Sequence, residues 1–312
     1  MKKIFTLVCA VALGLGTMNA KLILHESFDG ENGTVGTLNQ GLNTEMGTNT
    51  ANWWSYSGDK NFIEVVEGSL SFAGYQTQGQ GNKVKLISGS AADDFRQFEE
   101  IKSGKVYLAA VIHIETPKNS ETADYFLCLG DATPSSMYAR LYAKTVKENG
   151  EVKGVRFGVS KFNESASYIN LSEEMFEAGK DILVVTEYEY VDGDNNDVAR
   201  LYINPTRQTS EPTVEVTQSG VTSGSGAEQG SSSKKDASVI ASVNLRQGST
   251  TPASVFVDEI KVATAWADLF EAATGIENTE SQPSKSRKIM RDGVLIIEHG
   301  GKQFNILGTE IK

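Results

Sequence analysis

One stretch constrains this chain more than any other: Ser254–Phe270, SVFVDEIKVATAWADLF. Up to Val262 it alternates, with Phe256, Asp258, Ile260 and Val262 on one face and Val255, Val257, Glu259 and Lys261 on the other. A period of two is the signature of a β-strand. The run then changes to Ala-Trp-Ala-Asp-Leu-Phe, which reads as a short helical or capping turn. A strand ending in a cap suits the closing strand of a β-sandwich, and the opening strand Leu22–Phe28 is its expected partner.

The rest of the chain repeats that character. Val106–Glu115 alternates over ten residues, and Tyr125–Leu129, Ala139–Val146 and Lys153–Ser160 continue the pattern. Asn149-Gly150 is a tight-turn signal between the last two. Further strands are expected at Phe62–Val66, Ser69–Phe72, Lys83–Leu86, Ile182–Val191, Val198–Ile203 and Val239–Gln247, with Glu67-Gly68 as a hairpin turn. Asp93–Ile101 reads as a brief helical or irregular link, and Leu171–Gly179 as a short helix capped by Ser172. About a dozen strands with almost no long helix point to two packed antiparallel sheets. The expected fold is an all-β jelly-roll sandwich over residues 21–270.

Residues 206–237 shift to Ser, Gly, Thr and charge, and read as a mobile internal loop with one short strand at Val214–Thr217. Residues 271–288 form a polar linker. Residues 289–312 read as a small C-terminal hairpin around Gly300-Gly301. Two strands alone are marginally stable, so this piece is expected to dock or to serve as an address tag.

The first 20 residues read as a secretory signal: Lys2 and Lys3 precede the apolar run Ile4–Leu15, and Ala20 is a small residue before the cut. The run is too short to span a membrane. Export would leave Cys128 as a single thiol within an apolar strand, so a buried, inert cysteine is expected. The net charge of −11 disfavours nucleic acid as a partner.

Several stretches carry a resemblance: Ile23-Leu24-His25-Glu26-Ser27-Phe28-Asp29, Gly68–Tyr75, Asp124–Gly130, Asn244-Leu245-Arg246-Gln247-Gly248 and Val257–Trp266. In this order they resemble the laminin-G/concanavalin-A-like jelly-roll domains of secreted Bacteroidota-type proteins. The resemblance implies the two-sheet fold, and a location that is secreted or on the outer surface of a Gram-negative cell. The features Asp292–Ile297, Gly301–Phe304 and Gly308 resemble the sorting tails of type IX secretion, in an abbreviated form.

Three constellations offer chemistry. Trp53, Trp54, Tyr56 and Tyr75 lie near loops, where sugar rings stack on aromatics; a Trp-Trp pair can equally cap a core. Glu187 and Glu189 are two apart on one strand, the carboxylate pair a retaining glycosidase needs. Family 16 glycosidases of this fold carry Glu-x-Asp-x-Glu; here Glu189 takes the middle position and Val191 the third, so the motif fails. A solvent-facing pair with Tyr188 and Tyr190 inward is the plainer reading. Asp192, Asp194, Asn196 and Asp197 supply oxygen ligands that suit Ca²⁺, although an Asp-Gly turn explains the same residues. The resulting expectation is a non-enzymatic module that binds a glycan or an extracellular protein. A structural spacer and a glycoside hydrolase are the alternatives.

Overall fold

The computed structural model describes residues 21–270 apart from 31, 39–51, 59, 76–78, 90–91, 163–168, 206–210, 213–220, 224–235 and 250–251. Beyond 270 it describes the backbone of four strands between 287 and 311. The signal region, the Val214–Thr217 strand and most of the expected loop at 206–237 lie outside the described residues. The chain divides into two compact units, Met1–Glu271 and Ala272–Lys312.

The strands run β1 Leu22–Glu26, β2 Gly36–Thr37, β3 Trp53–Ser57, β4 Glu64–Val66, β5 Lys83–Ile87, β6 Asp93–Ile101, β7 Lys105–Thr116 and β8 Asp124–Gly130. They continue as β9 Met137–Glu148, β10 Glu151–Ser160, β11 Asn170–Leu171, β12 Asp181–Glu189, β13 Val198–Ile203, β14 Val221–Ser223, β15 Ile240–Leu245 and β16 Ser254–Ala263. The helix α1, Trp266–Phe270, follows. One sheet of nine strands has the order β14-β13-β12-β7-β16-β5-β4-β2, with β1 also on β16; a seven-stranded sheet has the order β11-β10-β9-β8-β15-β6-β3. Every pairing is antiparallel, and the two sheets form a sandwich of the jelly-roll kind.

The opening and closing strands pair as the alternation suggested, with Leu24 opposite Val262 and Glu26 opposite Ile260. The faces of β16 differ from a strict alternation. Its register against β7 slips between Asp258, opposite Val111, and Lys261, opposite Ala109, and Glu259 has φ +50°. This bulge adds a residue and reverses the parity. Ile260 and Val262 therefore join Val255 and Val257 in the core between the sheets.

That core takes Val106, Leu108, Ala110, Ile112 and Ile114 from one face of β7. The opposite face, Tyr107, Ala109 and Val111, is buried as well, against Leu70, Tyr75, Trp266, Leu269 and Phe270. The helix and the segment around Leu70 thus form a third layer over the nine-stranded sheet. A strand covered on both faces is apolar on both, which is why β7 reads KVYLAAVIHI.

Four local readings differ from the structure, the first being Ser69–Phe72, expected as a strand, which forms none and instead runs irregularly over the nine-stranded sheet with Leu70 buried. Asp93–Ile101 is a nine-residue strand between β15 and β3, because Phe95 and Phe98 supply buried positions among its charges. Leu171–Gly179 is not helical: β11 pairs with β10, and Phe176 bridges Val155. The turn at Glu67-Gly68 closes no hairpin, since β4 pairs with β5 across the excursion that carries Leu70 and Tyr75. The hairpin at Asn149-Gly150 forms as expected, with φ of +53° and +82°.

The second unit holds β17 Arg287–Arg291, β18 Val294–His299, β19 Lys302–Phe304 and β20 Glu310–Ile311 in one four-stranded antiparallel sheet. The expected hairpin is there, with His299 opposite Lys302, but it is the middle of a larger meander.

Candidate functional site

Strand β3 separates the aromatic residues that the sequence placed together. Trp53 points inward: it is 1% exposed, its ring lies 6.0 Å from Phe28, and its Nε1 donates to Glu26 Oε2 at 2.9 Å. Trp54 and Tyr56, on the other face, are half-buried on the outside of the seven-stranded sheet. Tyr75 belongs to the third layer over the opposite sheet. Its hydroxyl donates to the Glu259 carbonyl at 2.9 Å, and the Lys261 ammonium lies 4.2 Å from its ring. Trp53 and Tyr75, expected beside a ligand, are core side chains, and the aromatic set is split between two distant faces.

The outer face around Trp54 is assembled by register. Trp54 pairs with Phe95, Phe95 with Asn244, and Asn244 with Cys128. Their neighbours in sequence, Val243, Leu245, Leu127 and Leu129, fill the core, so these four side chains project outward. On β9 and β10 the same logic applies. Leu141, Ala143, Val155, Phe157 and Val159 face the core, which puts Arg140, Tyr142, Lys144, Arg156 and Ser160 on the outer face.

Tyr125 is the centre of this face. The Arg140 guanidinium lies 4.5 Å from its ring centroid and the Arg246 guanidinium 4.2 Å, while the Tyr142 ring is 5.5 Å away. Both guanidinium groups are also tethered. Arg140 Nε donates to the Met137 carbonyl at 3.1 Å, and Arg246 Nη1 donates to Asp124 Oδ1 at 2.6 Å and to the Tyr125 carbonyl at 3.1 Å. The hydroxyls of Tyr56 and Tyr125 converge on Met137 Sδ at 3.8 and 3.7 Å. Burial pushes the Tyr125 hydroxyl above its ordinary value against the pull of Arg140 and Arg246, so it stays a neutral donor.

Two polar atoms on this face lack a protein partner: Trp54 Nε1, a donor, and Asn244 Oδ1, an acceptor. They flank Phe95 in one cross-strand row. Buried polar groups are ordinarily bonded, and an unmade bond costs about 1–3 kcal/mol. At the end of the same row Cys128 is fully buried, and burial pushes its thiol up to about 12.

Glu187 and Glu189 lie on the opposite sheet, and Glu187 is not on a solvent face. It is 0% exposed and held by Arg200 Nη1 at 2.6 Å, Lys105 Nζ at 3.1 Å and the Tyr202 hydroxyl at 2.8 Å. Arg200 Nη1 also holds Glu189, and Lys105 reaches Glu211 at 2.6 Å. Tyr188 packs in the inner core as expected. Burial pushes the Glu187 carboxyl upward, with Glu211 adding to it and both cations opposing. A carboxylate shared with its neighbour's cation and walled by Tyr202 is built as part of an ion-pair network.

The loop Asp192–Asp197 joins β12 to β13, with Glu189 opposite Val198. Its oxygens diverge. Asp192 and Asp194 are exposed, Asn196 Nδ2 donates to the Asp192 carbonyl at 2.7 Å, and Asp197 turns inward to accept from the Tyr188 hydroxyl and the Val191 amide, both at 2.7 Å. Among the described residues, no group of three or more His, Cys, Asp or Glu side chains is arranged to hold a metal ion.

Arg140, Tyr125, Tyr142, Asn244 and Arg246 were not singled out as site residues from the sequence. Their only local signal is that each is polar or aromatic at an outward position of an otherwise apolar strand.

No family model matches the chain, and no curated protein is similar to it. Solved structures of similar outline include a mutant of alginate lyase Aly36B in complex with alginate trisaccharide: 9% identity, 68% of this chain, 88% of that chain, TM-score 0.42. An endo-β-1,4-glucuronan lyase from the fungus Trichoderma reesei has 11% identity, 80% and 98% coverage, and TM-score 0.40. The CBM2 module of the evolved Dit of Lactobacillus casei BL23 phage J-1 has 9% identity, 79% and 96% coverage, and TM-score 0.36. Likenesses this distant leave the chemistry of the face to be argued from its own residues.

Proposed function

We propose that the chain is an exported glycan-binding β-sandwich whose contact surface is the outer face of the seven-stranded sheet, centred on Trp54, Tyr56 and Tyr125. One observation carries the reading. The half-buried aromatic rings of Trp54, Tyr56 and Tyr125 lie in one surface with two hydrogen-bond-donating guanidinium groups, Arg140 and Arg246, ordered against Tyr125. Sugars present C–H faces to rings and hydroxyls that both donate and accept, so a pyranose chain meets each feature. Export rests on the charged and apolar start of the sequence. No reaction is assigned to Glu187 and Glu189, because both share the Arg200 guanidinium.

Affinity electrophoresis of the full chain in gels containing neutral and acidic polysaccharides tests the proposal. Retardation in at least one gel is expected, lost in Trp54→Ala with the melting temperature kept. Migration unchanged in every gel refutes it.

A further inference from the structure

The glycan-binding reading leaves the class of sugar open, and the charge on the same face narrows it. The chain as a whole carries −11, yet the middle of this face is cationic. Its outward strand positions hold Arg140, Lys144, Arg156 and, just after β15, Arg246; the carboxylates nearest the two arginines that flank Tyr125 are Asp93 and Asp124, while Glu148 and Glu151 lie at the hairpin end of β9 and β10, where Glu151 pairs with Lys153 at 2.9 Å. Asp124 is paired with Arg246 at 2.6 Å. Asp93 is held by the Gln247 amide at 2.7 Å and the Ser57 hydroxyl at 2.9 Å; burial pushes its carboxyl upward, and both hydrogen bonds and Arg246 oppose the shift. Asp131 lies in the turn that joins β8 to β9, next to Met137, and its carboxylate accepts from the Ser135 hydroxyl at 2.6 Å and from the Ser135 amide at 3.0 Å.

We propose that the ligand is a uronate polysaccharide, its ring carboxylates received by the Arg140 and Arg246 guanidinium groups that flank Tyr125. The proposal rests on the glycan-binding reading of this face and adds the charge of the sugar. A guanidinium is planar and matches a carboxylate with two parallel N–H bonds. Free arginine side chains lose much rotamer freedom on binding; these two are already ordered. Each lies within 4.5 Å of one ring centroid and each is tied to a backbone carbonyl. The two cations are therefore no further apart than the sum of their distances to that ring. Arg246 keeps 25% of its side chain exposed although it is paired. An acidic chain that collects cations on one face raises the local concentration of a polyanion there and repels it elsewhere. The half-buried rings of Trp54, Tyr56 and Tyr125 supply the stacking surface beside the cations.

The test uses the full chain in native gels containing polygalacturonate, its fully methyl-esterified form, dextran sulfate or a neutral β-glucan. Retardation by polygalacturonate, at least tenfold weaker with the ester and weakened by 0.5 M NaCl, is the expected result. Arg140→Gln should weaken retardation at least tenfold. Arg140→Lys should weaken it too, because a lysine keeps the charge and loses the fork. Lys180→Gln, on an exposed residue far along the chain, should leave it unchanged. Melting temperatures show which variants are folded; if Arg140→Gln is not, Lys144→Gln with its expected threefold loss takes its place. Equal retardation by the ester or by the neutral glucan overturns the uronate proposal and leaves the glycan reading standing. Retardation by dextran sulfate alone assigns the cations to sulfate esters and also overturns it. Migration unaffected by every polymer removes both readings together.

Discussion

The carboxylate of Glu26 joins the two sheets, and removing its charge should destabilise the sandwich severely. Glu26 belongs to β1 of the nine-stranded sheet and accepts from Trp53 Nε1 and Arg96 Nη1, both on the seven-stranded sheet. It also accepts from the Phe28 amide at 2.8 Å and from Asn32 Nδ2 at 2.8 Å. The Glu26 side chain is 3% exposed and that of Arg96 15%. In Glu26→Gln the shape is kept, but an amide N–H₂ must face donors on one side, and the Arg96 charge loses its buried counterion. Breaking one partner of a buried pair costs about 3–5 kcal/mol, and an orphaned donor about 1–3 kcal/mol. These overlap, so about 4 kcal/mol is expected. For a domain of this size that is a fall in melting temperature of about 8–16 °C. Circular dichroism melts and urea titrations of Glu26→Gln, Arg96→Met and the double variant give the measurement. The double variant should regain about 2 kcal/mol relative to the sum of the two singles, since removing both charges relieves the unpaired one. A loss under about 1 kcal/mol for Glu26→Gln, the range of ordinary surface substitutions, or strict additivity in the cycle, would refute the clamp.

Three further outcomes follow from the same geometry. Burial pushes the Asp258 carboxyl up to about 8, against hydrogen bonds from the Leu70 amide, the Ser69 hydroxyl and the Glu259 amide. The folded state therefore holds a proton that the unfolded state, titrating near 4, has released; stability should fall as pH rises from about 4 to about 8, by up to about 1.4 kcal/mol per pH unit from this group. Urea midpoints across that range should show the fall, and Asp258→Asn should flatten it; a variant with an unchanged profile sinks the assignment. Cys128 should resist a disulfide-exchange reagent in the native protein and react once urea unfolds it, whereas stoichiometric native reaction contradicts its burial. Gly150→Ala should cost about 1 kcal/mol although open space surrounds the site, because φ is +82° there and an L side chain is strained in that region; an unchanged urea midpoint would show that the turn relaxes.

Local pattern carried much of the fold. The pairing of Leu22–Glu26 with the end of Ser254–Ala263, the turn at Asn149-Gly150 and the alternation of β7 were legible because each depends on neighbouring residues. Asp93–Ile101 was not. Its DDFRQFEE run has the composition of a link, and only its placement between β15 and β3 shows that Phe95 and Arg96 face opposite layers. The bulge at Asp258–Lys261 hid the true faces of β16, because one inserted residue reverses every later side chain. Glu187 misled for another reason: a two-layer sandwich would leave it in solvent, whereas the third layer and the ion-pair network bury it. The candidate face was half legible. Trp54 and Tyr56 stood out as neighbours, while Tyr125, Arg140 and Arg246 meet only through register across three strands.

The position of β16 has a consequence for how the chain is made. This strand lies inside the nine-stranded sheet, bonded to β7, β5 and β1, yet it ends at Ala263. A chain emerging from the ribosome completes β7 some 150 residues' worth of synthesis earlier, roughly ten seconds or more at ordinary elongation rates. Until β16 arrives, β1, β5 and β7 each present an unpaired edge, and unpaired edges invite wrong partners. The sheet closes only by contacts between distant parts of the chain, the topology that folds slowly. A nascent chain of this design therefore stays open until β16 has been made, and its yield should depend on holdase chaperones far more than its final stability would suggest.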